Sequence, residues 1–145
     1  MRELVAASGS LEANSLYAYL LICTHFAETS LVAQSDHGLA GFVAAYRPPT
    51  DMDTVFVWQI GVTAKFRGEG VGTKLLDTLW QQPACQTVRY LEATVTPSNV
   101  ASGKLFASFA RSRGAGLEIT PHFTTEHFAP FDHEEEELYR IGPLR

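Results

Sequence analysis

The stretch FVWQIGVTAKFRGEGVGTKLL, residues 56–76, runs from an apolar segment through a basic, glycine-packed turn into a segment where Val71, Leu75, Leu76 and Leu79 recur at helical spacing. Strand, turn and helix in that order make this an α/β chain. At Gly68, Gly70 and Gly72 no Cβ crowds the main chain, so successive N–H groups can converge on one point. The dipole of the following helix adds partial positive charge there, which suits a pyrophosphate. Two phosphate motifs are excluded by spacing. The dinucleotide fingerprint requires G-x-G-x-x-G, and a P-loop closes on Gly-Lys-Ser/Thr, whereas the order here is Gly72, Thr73, Lys74.

Outward from this stretch, residues 54–62 are nearly all apolar, which predicts a central strand covered on both faces, with residues 88–96 as its neighbour. The stripe Val71, Leu75, Leu76, Leu79 and a second one, Ala101, Leu105, Phe106, Phe109, predict two helices that cover that sheet. Asn14 and Ser15 are set to cap a helix whose stripe is Leu16, Tyr19, Leu20, Cys23 and Phe26. Residues 30–34 and 39–47 read as a hairpin turned at Asp36, His37 and Gly38, and Pro48, Pro49 and Asp51 then force a loop. A last strand is predicted at residues 138–141, reached through a turn-rich stretch holding Pro121, Pro130 and Asp132.

With 145 residues and 46% hydrophobic content, the chain reads as one domain, residues 1–145, with a core of its own. A net charge of −5 argues against nucleic acid and suits a small cationic substrate. The two cysteines, Cys23 and Cys85, sit far apart in apolar contexts and read as buried free thiols. No run approaches the ~18 apolar residues of a membrane span, and no secretory leader pattern opens the sequence, so a cytoplasmic protein without membrane contact is expected. His122, His127 and His133 do not complete a zinc pattern, and no metal is expected.

The turn does satisfy R-x-x-G-x-G, through Arg67, Gly70 and Gly72, directly after a strand ending in Gly61 and Val62. This resembles the coenzyme A loop of the GCN5-related N-acetyltransferases. A second segment, VTPSNVASGKLF at residues 95–106, is similar to the N-x-x-A-x-x-L-Y element of the same family. Asn99 matches directly, on a helix bearing Ser102, Leu105 and Phe106. The resemblance implies an α/β GCN5-related N-acetyltransferase fold, with a mixed, mostly antiparallel sheet flanked by helices, and acetyl-CoA as co-substrate. It implies that the strand before the loop is splayed, so that the backbone near Ile60 and Val62 pairs with the pantetheine arm. Arg67, Gly68, Gly70, Val71, Gly72 and Thr73 would then hold the pyrophosphate, and the helix with Asn99 and Phe106 would lie beside the lower part of coenzyme A. Phe106 stands where many members place a tyrosine that protonates the departing thiolate. Members open with a strand before the first helix; here Glu3, Leu4 and Val5 look like a remnant of that helix, and the first strand is expected to be missing.

Three further stretches narrow the likeness: LEANSLYAYLL at 11–21, GFVAAYRPP at 41–49 and DHEEEELYRI at 132–141. Together with the others they resemble, in order and over nearly the whole chain, the L-2,4-diaminobutyrate acetyltransferases of ectoine synthesis. The implied reaction moves acetyl from acetyl-CoA to the 4-amino group of L-2,4-diaminobutyrate by direct attack in a ternary complex. Members usually carry aspartate where this chain has Glu12. Family likeness also suggests a homodimer. Two other readings stay open: an acetyltransferase for a different small amine, and a catalytically silent acyl-CoA-binding module.

Acetylating a primary amine demands a proton acceptor. With a reference pKa of about 10.4, roughly one amine per thousand is neutral near pH 7.5, a cost of about 4 kcal/mol. An enclosed carboxylate can hold the ammonium and accept its proton directly or through water. Glu12 and Glu136 are the candidates, and the resemblance favours Glu136 within the run 134–137. Strand alternation puts Glu134, Glu136, Leu138 and Arg140 on one face. Trp58 is placed to wall the acceptor pocket, and Asn14, Tyr17 and Thr96, at matching positions, to orient the substrate. Capping explains Asn14, and packing explains Tyr17, nearly as well. Arg47 and Arg140 are candidates to pair with a substrate carboxylate, though such arginines are usually surface residues.

Overall fold

The computed structural model of the chain describes residues 1–8 and 14–144. Its centre is the strand the apolar run predicted, β3 (Thr54–Val62). Ahead of it come helices α1 (Arg2–Ser8) and α2 (Leu16–His25) and the hairpin β1 (Leu31–Ser35) and β2 (Gly38–Tyr46). After it come α3 (Val71–Trp80), β4 (Tyr90–Val95), α4 (Val100–Ser112), β5 (Gly116–Phe123), the single turn α5 (Thr125–Phe128) and β6 (Glu136–Gly142). The six strands form one sheet in the order β1-β2-β3-β4-β6-β5. β3 and β4 run parallel and every other pair is antiparallel, the mixed, mostly antiparallel sheet expected.

Helices cover β3 on both faces. On one, Leu75, Leu76 and Leu79 of α3 and Phe106, Phe109 and Ala110 of α4 pack onto Val55, Val57, Leu91, Ala93, Val95 and Ile141. On the other, Leu4 and Val5 of α1 and Tyr19 and Ile22 of α2 pack onto Phe42 and Ala44, with Trp58 against them. A fully buried Leu or Phe here, such as Leu76, Leu79 or Phe109, contributes about 1.5–3 kcal/mol. Gly72 sets how closely α3 approaches α4. A Cβ on it would come within 3.2 Å of Leu105, so its bareness serves helix packing as well as the open turn.

A bulge in β3 decides which residues face which side. Ala44 pairs with Gln59 and the next residue, Ala45, with Val57, so Trp58 is an extra residue on β3. Val55 and Val57 below the bulge and Ile60 above it all join the α3/α4 core. Trp58 and Gln59 both serve the opposite face, where the Tyr19 hydroxyl donates to Gln59 Oε1 at 3.1 Å.

Three expectations are corrected. Residues 116–123 are not a turn-rich link but the edge strand β5. Pro121 is tolerated because it lies on an outermost strand, where the register shifts between Pro121 and Phe123. The stripe expected along α2 is not its inward face, since Leu16, Leu20, Cys23 and Phe26 are exposed and only Tyr19 of the five is buried. α2 is apolar on every side, so spacing could not choose. The same placement leaves Cys23 exposed, while Cys85 is a buried free thiol as expected. Of the two capping candidates, Ser15 caps α2, its Oγ accepting from Ala18 N at 3.2 Å.

The loop before β3 is fastened by charge. Asp51 Oδ2 accepts from the Thr54 hydroxyl at 2.8 Å, Oδ1 from Asp53 N at 3.2 Å, and Arg140 Nη1 lies 3.5 Å away. These contacts, the Thr54 hydrogen bond foremost, hold the Asp51 carboxyl below its ordinary value. A depressed folded-state value stabilises the fold above the unfolded value and is lost as pH falls through the folded one. Asp51→Asn should therefore lower Tm at neutral pH, and the gap from wild type should close as pH falls below the ordinary carboxylate range. Thermal melts across pH check this; a gap that stays constant with pH would assign the effect to packing.

Candidate active site

β3 and β4 do not stay together. Their pairing ends at Val57 with Ala93, although β3 runs on to Val62 and β4 to Val95. Beyond that point the sheet opens, and a cleft of about 610 Å³ fills the opening. Ile60, Gly61 and Val62 line one side of it and Asn99, Val100, Ala101, Ser102 and Leu105 the other, and Ser8, Arg67, Gly68 and Ser98 complete the lining. Along residues 58–62 the edge of β3 that faced β4 is released, which suits an extended ligand carrying amide groups.

The glycine turn stands at the mouth of this cleft. Gly68 has φ +82° and Gly70 φ +78°, conformations that L side chains rarely adopt, and Gly70 caps α3 with no side chain of its own. The first N–H groups of α3 therefore have no capping side chain and no acidic residue in the first turn. Arg67 donates from Nε to the Val62 carbonyl at 3.4 Å and from Nη2 to the Ser8 carbonyl at 3.3 Å. Among the described residues it is the one charged side chain in the lining. One cation, no anion and a bare helix N-terminus fit the phosphates of a nucleotide thioester.

A smaller pocket of about 50 Å³ adjoins the cleft and threads the sheet. Phe106 and Ser102 line it from the α4 side, and Trp58, Gln59 and Thr94 from the other. The strand register puts Trp58, Thr94, Leu138 and Glu136 on one face, away from α3 and α4. Thr96, at the end of β4, and Glu136, at the start of β6, fall side by side just past the last paired residues Val95 and Glu137.

The acidic run separates into distinct roles. Glu134 is tied to the loop before α4: its carboxylate accepts from Ser98 N at 3.2 Å and from the Ser98 hydroxyl. Glu136 is a partly buried strand residue, with Oε1 3.8 Å from His133 Nε2. His133 Nδ1 lies 2.6 Å from the Glu134 carbonyl, which can only accept, so Nδ1 donates and Nε2 can donate towards Glu136 only when the ring carries both protons. Phe128 stacks on the same imidazole at 4.0 Å.

Of the residues the sequence singled out, Ile60, Val62, Arg67, Gly68 and Asn99 line the cleft, and Ile60, Asn99, Phe106 and Trp58 line the threading pocket. Gly70, Val71, Gly72 and Thr73 form the cap and first turn of α3. Neither lining contains Asn14, Tyr17, Thr96 or Glu136, and Tyr17 is exposed. Glu12 lies outside the described residues. The two arginines are engaged elsewhere: Arg47 donates to the carbonyls of Ala84 and Met52, and Arg140 pairs with Glu92 and Asp51 over the Tyr90 ring. Gln59 and Thr94 were missed. A buried glutamine in an otherwise apolar strand was the available signal for the first; Thr94 gave none beyond strand alternation. Among the described residues no group of His, Cys, Asp and Glu could hold a metal ion, and no helix is long and apolar enough to cross a membrane.

This geometry, a sheet parted beside a bare helix N-terminus, is that of a nucleotide-thioester acyltransferase. Residues 2–110 match the acetyltransferase (GNAT) family, and the chain belongs to that family. It is 45% identical over 141 residues to the L-2,4-diaminobutyric acid acetyltransferase of Shouchella clausii, covering 97% of this chain and 79% of that one. It is 47% identical over 144 residues to that of Marinococcus halophilus, covering 99% and 83%. In structure it is similar to the diaminobutyrate acetyltransferase EctA of Paenibacillus lautus, solved with L-2,4-diaminobutyric acid and coenzyme A. The TM-score is 0.94 and the identity 38%, over 97% of this chain and 86% of that one.

Proposed function

We propose that this protein transfers acetyl from acetyl-CoA to the 4-amino group of L-2,4-diaminobutyrate, giving N4-acetyl-L-2,4-diaminobutyrate, a step of ectoine biosynthesis. The observation that carries this is the near full-length likeness to diaminobutyrate acetyltransferases, joined to a cleft that leads through the sheet into an acceptor pocket. In this reading the amides at the start of α3, with Arg67, hold the pyrophosphate, and the released edge of β3 at Ile60 and Val62 pairs with the pantetheine arm. The thioester is thereby aimed into the gap that opens beyond the Val57–Ala93 pair. Trp58, Gln59 and Thr94 wall the acceptor.

Glu136 takes the proton from the substrate ammonium, directly or through water. Its place supports this: it shares the acceptor face with Trp58 and Thr94, while Glu134 is committed to Ser98. The amine then attacks from about 3–3.5 Å, and no acyl-enzyme is needed. With Arg47 and Arg140 engaged inside the protein, the substrate carboxylate is held by other donors. Mass spectrometry of the product from purified protein, acetyl-CoA and a panel of diamines tests the assignment. The expected result is one acetyl on N4 of diaminobutyrate; equal turnover of unrelated diamines would remove the substrate, and absence of any acetylated product would remove the activity.

A further inference from the structure

The cleft and the threading pocket share three residues, Ile60, Asn99 and Ser102. In the function proposed above, the group passes from donor to acceptor where the two cavities meet, which would place these residues around the reacting atoms. Ile60 offers an aliphatic side chain. The side-chain oxygen of Asn99 is occupied in capping α4, accepting from Ser102 N at 3.2 Å. Ser102 is left with a half-buried hydroxyl that has no hydrogen-bond partner among the described residues. One turn further along α4 stands Phe106, buried against the pocket and without a proton to give.

Resting on the function proposed above, we infer that Ser102 is a catalytic residue that carries a proton from the attacking nitrogen to the departing sulfur. The chemistry requires such a carrier. After the base has removed one proton from the ammonium, the neutral amine adds to the thioester carbon, and the nitrogen in the adduct is positively charged with a proton still to lose. The sulfur meanwhile takes the electron pair of the breaking carbon–sulfur bond and needs a proton to leave as the thiol. A hydroxyl between them accepts from nitrogen as it donates to sulfur. As the adduct collapses, one nitrogen–hydrogen bond and one carbon–sulfur bond break, one sulfur–hydrogen bond forms, the oxyanion's electron pair restores the carbonyl double bond, and the serine ends as it began. No alkoxide accumulates, so the high pKa of a serine hydroxyl is no obstacle, whereas direct protonation of a thiolate with a reference pKa of about 8.5 by serine alone would run uphill.

The test compares Ser102→Ala and Ser102→Thr with wild type in kcat, KM and calorimetric affinity for coenzyme A. The expected result is a fall in kcat of about tenfold or more for the alanine variant with coenzyme A affinity unchanged, and substantial recovery in the threonine variant, which restores a hydroxyl at the same place. Wild-type kcat in the alanine variant would overturn the inference in favour of water, and a parallel loss of coenzyme A affinity would reduce Ser102 to a binding contact. If wild-type protein forms no acetylated diaminobutyrate, it is the proposed function that fails.

Discussion

Gly70→Glu is expected to abolish coenzyme A binding. Gly70 closes the turn at φ +78°, so any L side chain there carries strain of about 1–2 kcal/mol, which a fold of ordinary stability survives. The larger effect is charge. A carboxylate at the cap of α3 would occupy the positive end of the helix and face the incoming pyrophosphate with a like charge, at a cost of several kcal/mol, or more than about a hundredfold in affinity. Gly70→Asn separates the two contributions, because asparagine tolerates the left-handed conformation and brings no charge. Calorimetry should find affinity largely kept in the asparagine variant and lost in the glutamate variant. Unchanged affinity in both would move the phosphates away from this turn.

Glu136→Gln is expected to lower kcat about a hundredfold or more with the fold intact, the range in which a general base contributes. The amide keeps the size of the carboxylate at the head of β6, where the backbone ladder, not the side chain, holds the strand. The loss should deepen as pH falls, because fewer substrate amines are neutral without help, and shrink at alkaline pH. Steady-state kinetics from acid to alkaline pH, with circular dichroism as the control for folding, decides it. Wild-type turnover throughout would hand the role to Glu12 or to solvent.

The elements nearest the cofactor cleft were the most legible in the sequence. β3 was readable because its apolar run is unbroken, and α3 and α4 because leucine and phenylalanine recur at helical spacing. The glycine turn, a weak signal by itself, was readable because the segment around Asn99 at residues 95–106 stood beside it. What escaped reading did so for physical reasons. β5 carries a proline, which signals a turn unless one already knows the strand lies at an edge. α2 is apolar all round, so no stripe marks its inward side. The bulge at Trp58 adds one residue to β3 and moves every later side chain to the other face, a shift visible only from the partner strand. Gln59 lines the smaller pocket by way of that bulge and Thr94 by the alternation of β4, neither through a motif. Within the carboxylate run residue type alone does not separate the four; the resemblance favoured Glu136, and contacts with Ser98 and His133 then tell Glu134 and Glu136 apart.

Two adjoining cavities lined from opposite faces of the sheet would give each reactant of the proposed reaction its own doorway. In the proposed reaction the nucleotide would enter beside α3 and α4 and the amino acid from the side that carries Trp58 and Thr94, so that neither need wait for the other to vacate a common vestibule. Mutational drift on the tryptophan side can retune which amine is welcomed while the machinery that grips the donor stays as it is.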